Sequence, residues 1–424
     1  MSEENKKAVQ EPPKGLTLAD IYTLPAGLPT IQVGDTGVRY DFNLGCRIHV
    51  PFNEKEHYFI SIVDHKTGMT VFNAVVDTKD HPNGMSATTN WIYHKQYHIV
   101  VKNTATNETL LDHIYDASDK RVLIECPDCG LGDAIGWFSC AIKFQKKWNC
   151  KLVFACPKYI ADMFRKTYPD VEFIERREAP EKCFTGDNPV YATYYPGLFF
   201  DNNPQFQPED FRQVGIHRHV ATMLDVDKAD EPPKVDCSAP RQIKEKYVVI
   251  ASNASSHCKH WNCVGGWYEV VEYLKNLGYR VLCIDKDKFL NRGSGVVDSI
   301  PYGCEDYTGD IPLQERINLI KDADFFIGVS SGLSWVAWCC GTPVILISGF
   351  THPCTEFYTP YRVINMDVCH SCWNDIRVQF DHNDPLWCPK YKNTADAYQC
   401  TMLLPSSMVK EAIDRCINDL KHKK

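Results

Sequence analysis

Four cysteines near the C-terminus have the residue type and spacing to hold a metal ion: Cys369-x2-Cys372, then Cys388 and Cys400. A CxxC turn sets two sulfurs about one tetrahedral edge apart, and two further thiolates complete the coordination of zinc or of a single iron. Trp373, Phe380, Trp387 and Tyr398 interleave with them, as happens where an ion replaces a hydrophobic core in a small knuckle. Four thiolates leave no open coordination position, so the predicted role is structural. Of the chain's 20 cysteines, others such as Cys156, Cys283, Cys339 and Cys340 sit inside apolar runs and read as small core residues. A further CxxC, Cys126-Pro127-Asp128-Cys129, lacks a second ligand pair nearby and reads as packing, with thiol redox chemistry as the alternative.

A second constellation lies in two glycine- and serine-rich loops. The run RVLIEC leads directly into Gly130-Leu131-Gly132-Asp133, at the start of a helix that carries Ile135, Phe138 and Ile142 on one face. The glycines allow a tight turn and leave room for a ligand. Asp133 has two readings: a helix N-cap contributing about 1 kcal/mol, or a general base that takes a proton from an attacking hydroxyl. The next glycine, Gly136, is displaced from the dinucleotide fingerprint. Lys259 is the one lysine in the loop NASSHCKHWN and would meet a phosphate as a point charge, unless it is an ordinary solvated lysine. Ser331-Gly332-Leu333-Ser334 opens the apolar helix WVAWCCG, offering N–H groups and the positive dipole end to a diphosphate, or else a plain serine cap. Asp285, closing RVLCID, is placed to accept hydrogen bonds from a ribose.

The elements that must position these residues are legible as runs. Residues 1–20 read as a flexible arm, and HYFISIVD, a polar turn and MTVFNAVV form a hairpin within a small antiparallel, barrel-like β domain. That domain is assigned to docking or assembly. From about residue 120, short apolar runs (RVLIEC, KLVFAC, VEFIE, VYATYY) alternate with helical stretches, which implies βαβ units and a parallel sheet. The breaker-rich DKADEPPKVDCSAP then reads as a linker to a second series: YVVIAS, RVLCID, FFIGVS, PVILIS and YRVIN. Two doubly wound halves should enclose a cleft lined by the carboxyl ends of both sheets. The expected division is an arm plus β domain over 1–118, Rossmann-like halves over 119–235 and 236–365, the knuckle over 366–404 and a terminal helix over 405–424.

With 424 residues, 44% hydrophobic and 24% charged, the chain is an ordinary globular one of several domains. Its net charge of −8 opposes binding to nucleic acid or anionic lipid. No apolar run approaches the roughly 20 residues of a membrane span, and the polar N-terminus has no secretory h-region. The expectation is a cytoplasmic protein, whose thiols stay reduced.

GLGD after the first strand, a lysine loop opening the second half, and GVSSGLSW resemble the ADP-heptose-dependent glycosyltransferases of lipopolysaccharide synthesis, which share two Rossmann-like domains in the GT-B arrangement. The N-terminal β domain and the knuckle DVCHSCWND…LWCPK…YQC, preceded by THPCTEFYTPYRVIN, depart from those enzymes. They are instead similar to the bacterial autotransporter heptosyltransferases, over about residues 30 to 415. The resemblance implies an α/β GT-B-like fold and transfer of heptose from ADP-heptose to serine hydroxyls of an autotransporter adhesin before export. Asp133 would be the base of an inverting reaction. Gly130, Leu131, Gly132, Lys259, Asp285 and the 331–334 loop would bind the donor. The resemblance also implies iron on Cys369, Cys372, Cys388 and Cys400, and a large homo-oligomer, a dodecamer in the family. The alternatives are transfer to a lipopolysaccharide or glycan acceptor, and a sugar-nucleotide-binding scaffold without turnover.

Overall fold

A computed structural model describes residues 27–422 apart from Glu56, Asp128 and Ser294; the arm expected over residues 1–20 lies outside the described residues. The first half is built on parallel strands in the order Glu172–Ile174, Lys151–Ala155, Arg121–Glu125, Ala192–Tyr194. Their residues are almost wholly buried, which is why each reads as a continuous apolar run. The second half is a six-stranded sheet ordered Glu305–Asp306, Arg280–Cys283, Tyr247–Ala251, Phe326–Val329, Val344–Ile347, Arg362–Val363, with every neighbouring pair parallel. In each half the strand order reverses beside the first strand, at Arg121–Glu125 and at Tyr247–Ala251. Loops leaving strand ends at such a switch point diverge and open a crevice.

The N-terminal strands divide between two sheets. His57–Asp64, Thr70–Asp77, Tyr97–Asn103 and Thr109–Ile114 form a four-stranded antiparallel sheet containing the expected hairpin. Alternating burial along His57–Asp64 gives it one core face and one outer face. Val38–Asn43, Arg47–Val50 and Met85–Thr88 go elsewhere: Val38–Asn43 pairs in parallel with Ala192–Tyr194 and extends the sheet of the first half. The local cause is a buried polar bracket, in which Asp41 takes a two-pronged ion pair from Arg47 and a hydrogen bond from Asn43, while Asn43 accepts from Thr193. The sheet therefore runs across residue 118, where the sequence reading drew a boundary.

The helix Leu131–Trp148 buries Ala134, Ile135, Phe138, Ala141 and Ile142, and Asn149 ends it in the left-handed conformation. It meets the helix Gly332–Cys339 of the other half at two glycines. A Cβ on Gly132 would lie 2.6 Å from the Trp335 ring, and one on Gly332 would lie 2.6 Å from Leu131. Part of the room predicted for a ligand at these glycines is thus filled by side chains that bring the two halves together. A third close approach is Gly215, at φ +98, whose missing Cβ would fall 2.1 Å from the Cys354 carbonyl oxygen.

Candidate active site and cysteine knuckle

The strand-end loops of both halves surround one cavity of about 560 Å³. Of the residues expected to carry chemistry, Gly130, Leu131, Gly132, Asp133, Lys259, Ser331 and Gly332 line it. Three expected donor-site residues do not. The Asp285 carboxylate turns back to accept from the Ser252 amide and hydroxyl, both at 2.9 Å, and from the Asn253 amide, so it fixes the root of the lysine loop. Ser334 is buried and donates to the Val329 carbonyl at 2.7 Å, and Leu333 packs into the core.

Asp133 sits in the first turn of Leu131–Trp148, but the cap position belongs to Gly130. A Cβ at Gly130 would lie 2.8 Å from Asp133 Oδ2, so glycine there keeps space for the carboxylate. Burial pushes the Asp133 carboxyl above the usual range. Lys259 and the backbone N–H groups of Asp133 and Gly130 pull it back, while Glu356 pushes it up. A carboxylate raised toward neutrality is a stronger base than an ordinary one.

Lys259 ends a short 3₁₀ turn, its ammonium 3.4 Å from Ser255 Oγ and 5.5 Å from the centre of the Phe350 ring. Ser331 occupies the cap position of Gly332–Cys339, yet its hydroxyl caps nothing. It is one of two cavity-lining polar side chains whose buried atom has no partner among the described residues; the other is the Trp373 indole N–H. An unpaired buried donor costs about 1–3 kcal/mol, a cost that a ligand oxygen would remove. A cationic ammonium, a free hydroxyl and a helix N-terminus together suit an anionic group.

The sequence reading did not single out Glu356, Thr351, Trp335 or His382, which also line the cavity. Glu356 is buried and paired with Arg362 at 2.9 Å. It lies within THPCTEFYTPYRVIN, a segment quoted above only as a resemblance.

The four knuckle cysteines line a single small cavity of about 30 Å³. Burial, followed by mutual repulsion among the cysteines, raises the Cys372 and Cys400 thiols, so a bound cation is what would hold them as thiolates. This donor set fits a tetrahedral thiolate ion, although no three of the sulfurs lie within 4.8 Å of one another. Among the described residues the one trio of candidate ligand atoms that close is His257, His260 and Asp298. There the charge is already met: Arg292 donates to Asp298 at 2.7 Å and contacts His260 Nε2 at 3.0 Å. Burial favours a neutral Asp298, but His257 and Arg292 hold its carboxyl down at about 2. The trio ties the hairpin Phe289–Gly293/Val296–Ser299 to the lysine loop.

The knuckle is also wall and brace for the cleft. Trp373, Phe380 and His382 line the cavity, and Ser371 and Trp373 amides donate to Gly349 and Phe350. The His257 amide, two residues before Lys259, donates to Pro385 at 3.0 Å.

Residues 212–381 match the family model for glycosyltransferase family 9 (heptosyltransferase), and residues 34–85 match that for the glycosyltransferase TibC N-terminal domain. The autotransporter heptosyltransferase BAHTCr of Citrobacter rodentium is 42% identical, over 94% of this chain and 93% of its own. The chain belongs to the autotransporter heptosyltransferase family. Another member, TibC from enterotoxigenic E. coli H10407, is 40% identical and superposes with a TM-score of 0.84 over 93% of this chain and 99% of that one. Crystal structures of TibC are described as an iron-containing dodecameric glycosyltransferase and as a complex with ADP-D-beta-D-heptose. BimC of Burkholderia thailandensis, described as an inactive autotransporter heptosyltransferase, is 35% identical over 92% of this chain and 88% of its own. The GT-B-like pairing of two Rossmann-like halves behind an N-terminal domain is thus the fold of the autotransporter heptosyltransferases. Among the described residues no helix is long and apolar enough to cross a membrane.

Proposed function

We propose that this protein transfers heptose from ADP-heptose to serine hydroxyls of an autotransporter adhesin in the cytoplasm, before export. One observation carries the reading: Asp133, from the first half, and Lys259, Ser331 and Gly332, from the second, line the same cavity. Asp133 takes the proton of the attacking serine. Lys259 and the N-terminus of Gly332–Cys339 receive the diphosphate, whose charge grows as the bond to the anomeric carbon breaks. With one base and no covalent intermediate, the serine oxygen attacks from the face opposite the leaving ADP and the configuration inverts. A lysine and a helix N-terminus meet the diphosphate without a divalent cation. Cys369, Cys372, Cys388 and Cys400 would hold one structural iron ion, zinc being the alternative, and the chain would assemble as a large homo-oligomer.

Intact-mass analysis of an autotransporter co-expressed with this protein tests the reading. The expected result is a shift in multiples of one heptose, abolished by Asp133→Ala; an unshifted mass with the wild type sinks it. A scaffold without turnover is the second reading, and the inactive relative gives it a precedent. It predicts donor binding with no mass shift. Transfer to a lipopolysaccharide or glycan would appear instead as a shifted glycan with an unmodified adhesin.

A further inference from the structure

We propose that Ser330, Thr351 and Glu356 form the wall that recognises the hydroxyls of the donor sugar; this rests on the reading of the cavity as a sugar-nucleotide site. All three are buried, at 9%, 3% and 3% exposure, and all three line the cavity. Glu356 Oε2 accepts from Arg362 Nη1 at 2.9 Å. Glu356 Oε1 accepts from two hydroxyls, Thr351 Oγ1 at 2.9 Å and Ser330 Oγ.

The direction of these bonds determines what the wall offers. A hydroxyl has one proton and two lone pairs, and it gives the proton preferentially to a charged acceptor. Ser330 therefore donates to Glu356, and Thr351 donates to Glu356 with Ser330 Oγ as its second, longer acceptor at 3.1 Å, so each hydroxyl oxygen keeps a lone pair to accept with. The guanidinium lies behind the carboxylate and occupies its other oxygen. With the Glu356 charge offset by Arg362, this face presents acceptors and, among the described residues, no cation or free donor, which suits hydroxyl protons and not phosphate. The neighbouring corner, with Lys259, Ser331 and the helix N-terminus, presents the opposite. One cavity thus has an anion-binding corner and a polyol-binding wall, the order in which a sugar diphosphonucleoside presents its groups. Such a wall discriminates strongly, because a ligand lacking the hydroxyls leaves buried acceptors unpaired.

The test is binding of ADP-heptose and of ADP to the full-length protein by calorimetry, in wild type, Glu356→Gln, Thr351→Val and Thr351→Ser. The wild type should bind ADP-heptose more tightly than ADP. Glu356→Gln should weaken ADP-heptose at least tenfold and ADP less than twofold. Thr351→Val should do the same more mildly, and Thr351→Ser should retain wild-type affinity. Equal loss for both ligands would overturn the assignment by moving the network to the nucleotide, and unchanged affinity for both would overturn it by making the network merely structural. If Glu356→Gln fails to fold, the Thr351 pair decides on the same criteria. A wild type that does not bind ADP-heptose overturns the underlying reading; one that binds it while the variants are unaffected overturns only this inference.

Discussion

The cleft between the two halves and the cysteine knuckle touch the same cavity but are specified differently. In the cleft, Asp133, Lys259 and Ser331 follow buried parallel strands whose register fixes where each loop begins. Backbone hydrogen bonding places these residues before any ligand arrives. The knuckle between residues 366 and 404 has only the short 3₁₀ turn Cys372–Asn374 and the four-residue helix Gln399–Met402 as regular structure. Its order comes from side chains: four cysteines around a small cavity, and an aromatic cluster in which Phe380 packs on Phe350, Trp373 and Trp387 at 5.1–5.5 Å between ring centres. One region is ordered by its sheets; the other is ordered by its side chains.

The contrast is sharpened first at Asp133. Asp133→Asn should lower transfer by about 10²–10⁴-fold, the usual range for loss of a general base, with donor affinity and melting temperature nearly unchanged. Turnover measured beside ADP-heptose binding checks this. A parallel loss of binding would show that the side chain holds the donor rather than taking the proton.

Breaking the knuckle should have a broader, less selective effect. A purely structural role, as the four-thiolate spacing implies, would confine a Cys→Ser change to folding or assembly. The walls contributed by Trp373, Phe380 and His382, and the Pro385 bond to the lysine loop, predict that it reaches the ligand site as well. If the four thiolates hold the proposed ion, Cys372→Ser should lose it by elemental analysis, lower the melting temperature and weaken ADP-heptose binding roughly tenfold, since it also displaces the adjacent Trp373 indole. Retention of full donor affinity in a metal-free, folded protein would confine the knuckle to architecture. At Gly132, replacement by Ala drives a methyl into the Trp335 ring, an overpacking cost of about 1–3 kcal/mol that thermal denaturation would register.

How much of this the sequence disclosed follows the same division. Asp133, Lys259 and Ser331 were readable because each lies a few residues beyond an apolar run, and strand, loop and helix follow one another in the chain. The cysteines were readable from spacing. Glu356, Thr351 and Trp335 were not, because what makes them cavity residues is the approach of separate elements. Asp285 occupies the expected strand end, but the Ser252 and Asn253 amides capture its carboxylate. The pairing of Val38–Asn43 with Ala192–Tyr194 joins strands about 150 residues apart, and local alternation carries no signal of it.

The smallest predicted effect separates the two charges that flank Asp133. The acid limb of the pH–rate profile reports its ionisation, because only the carboxylate accepts a proton; the rate falls as pH drops through its pKa. Burial sets that limb above the position of an ordinary carboxylate. Lys259 holds it down and Glu356 pushes it up. Lys259→Gln should therefore move the limb of the residual activity to higher pH, and Glu356→Gln should move it to lower pH. Both variants remove one charge from the same cavity, so a loss of packing alone would not give shifts of opposite sign. Shifts in the same direction, or none, would remove Asp133 as the group that titrates.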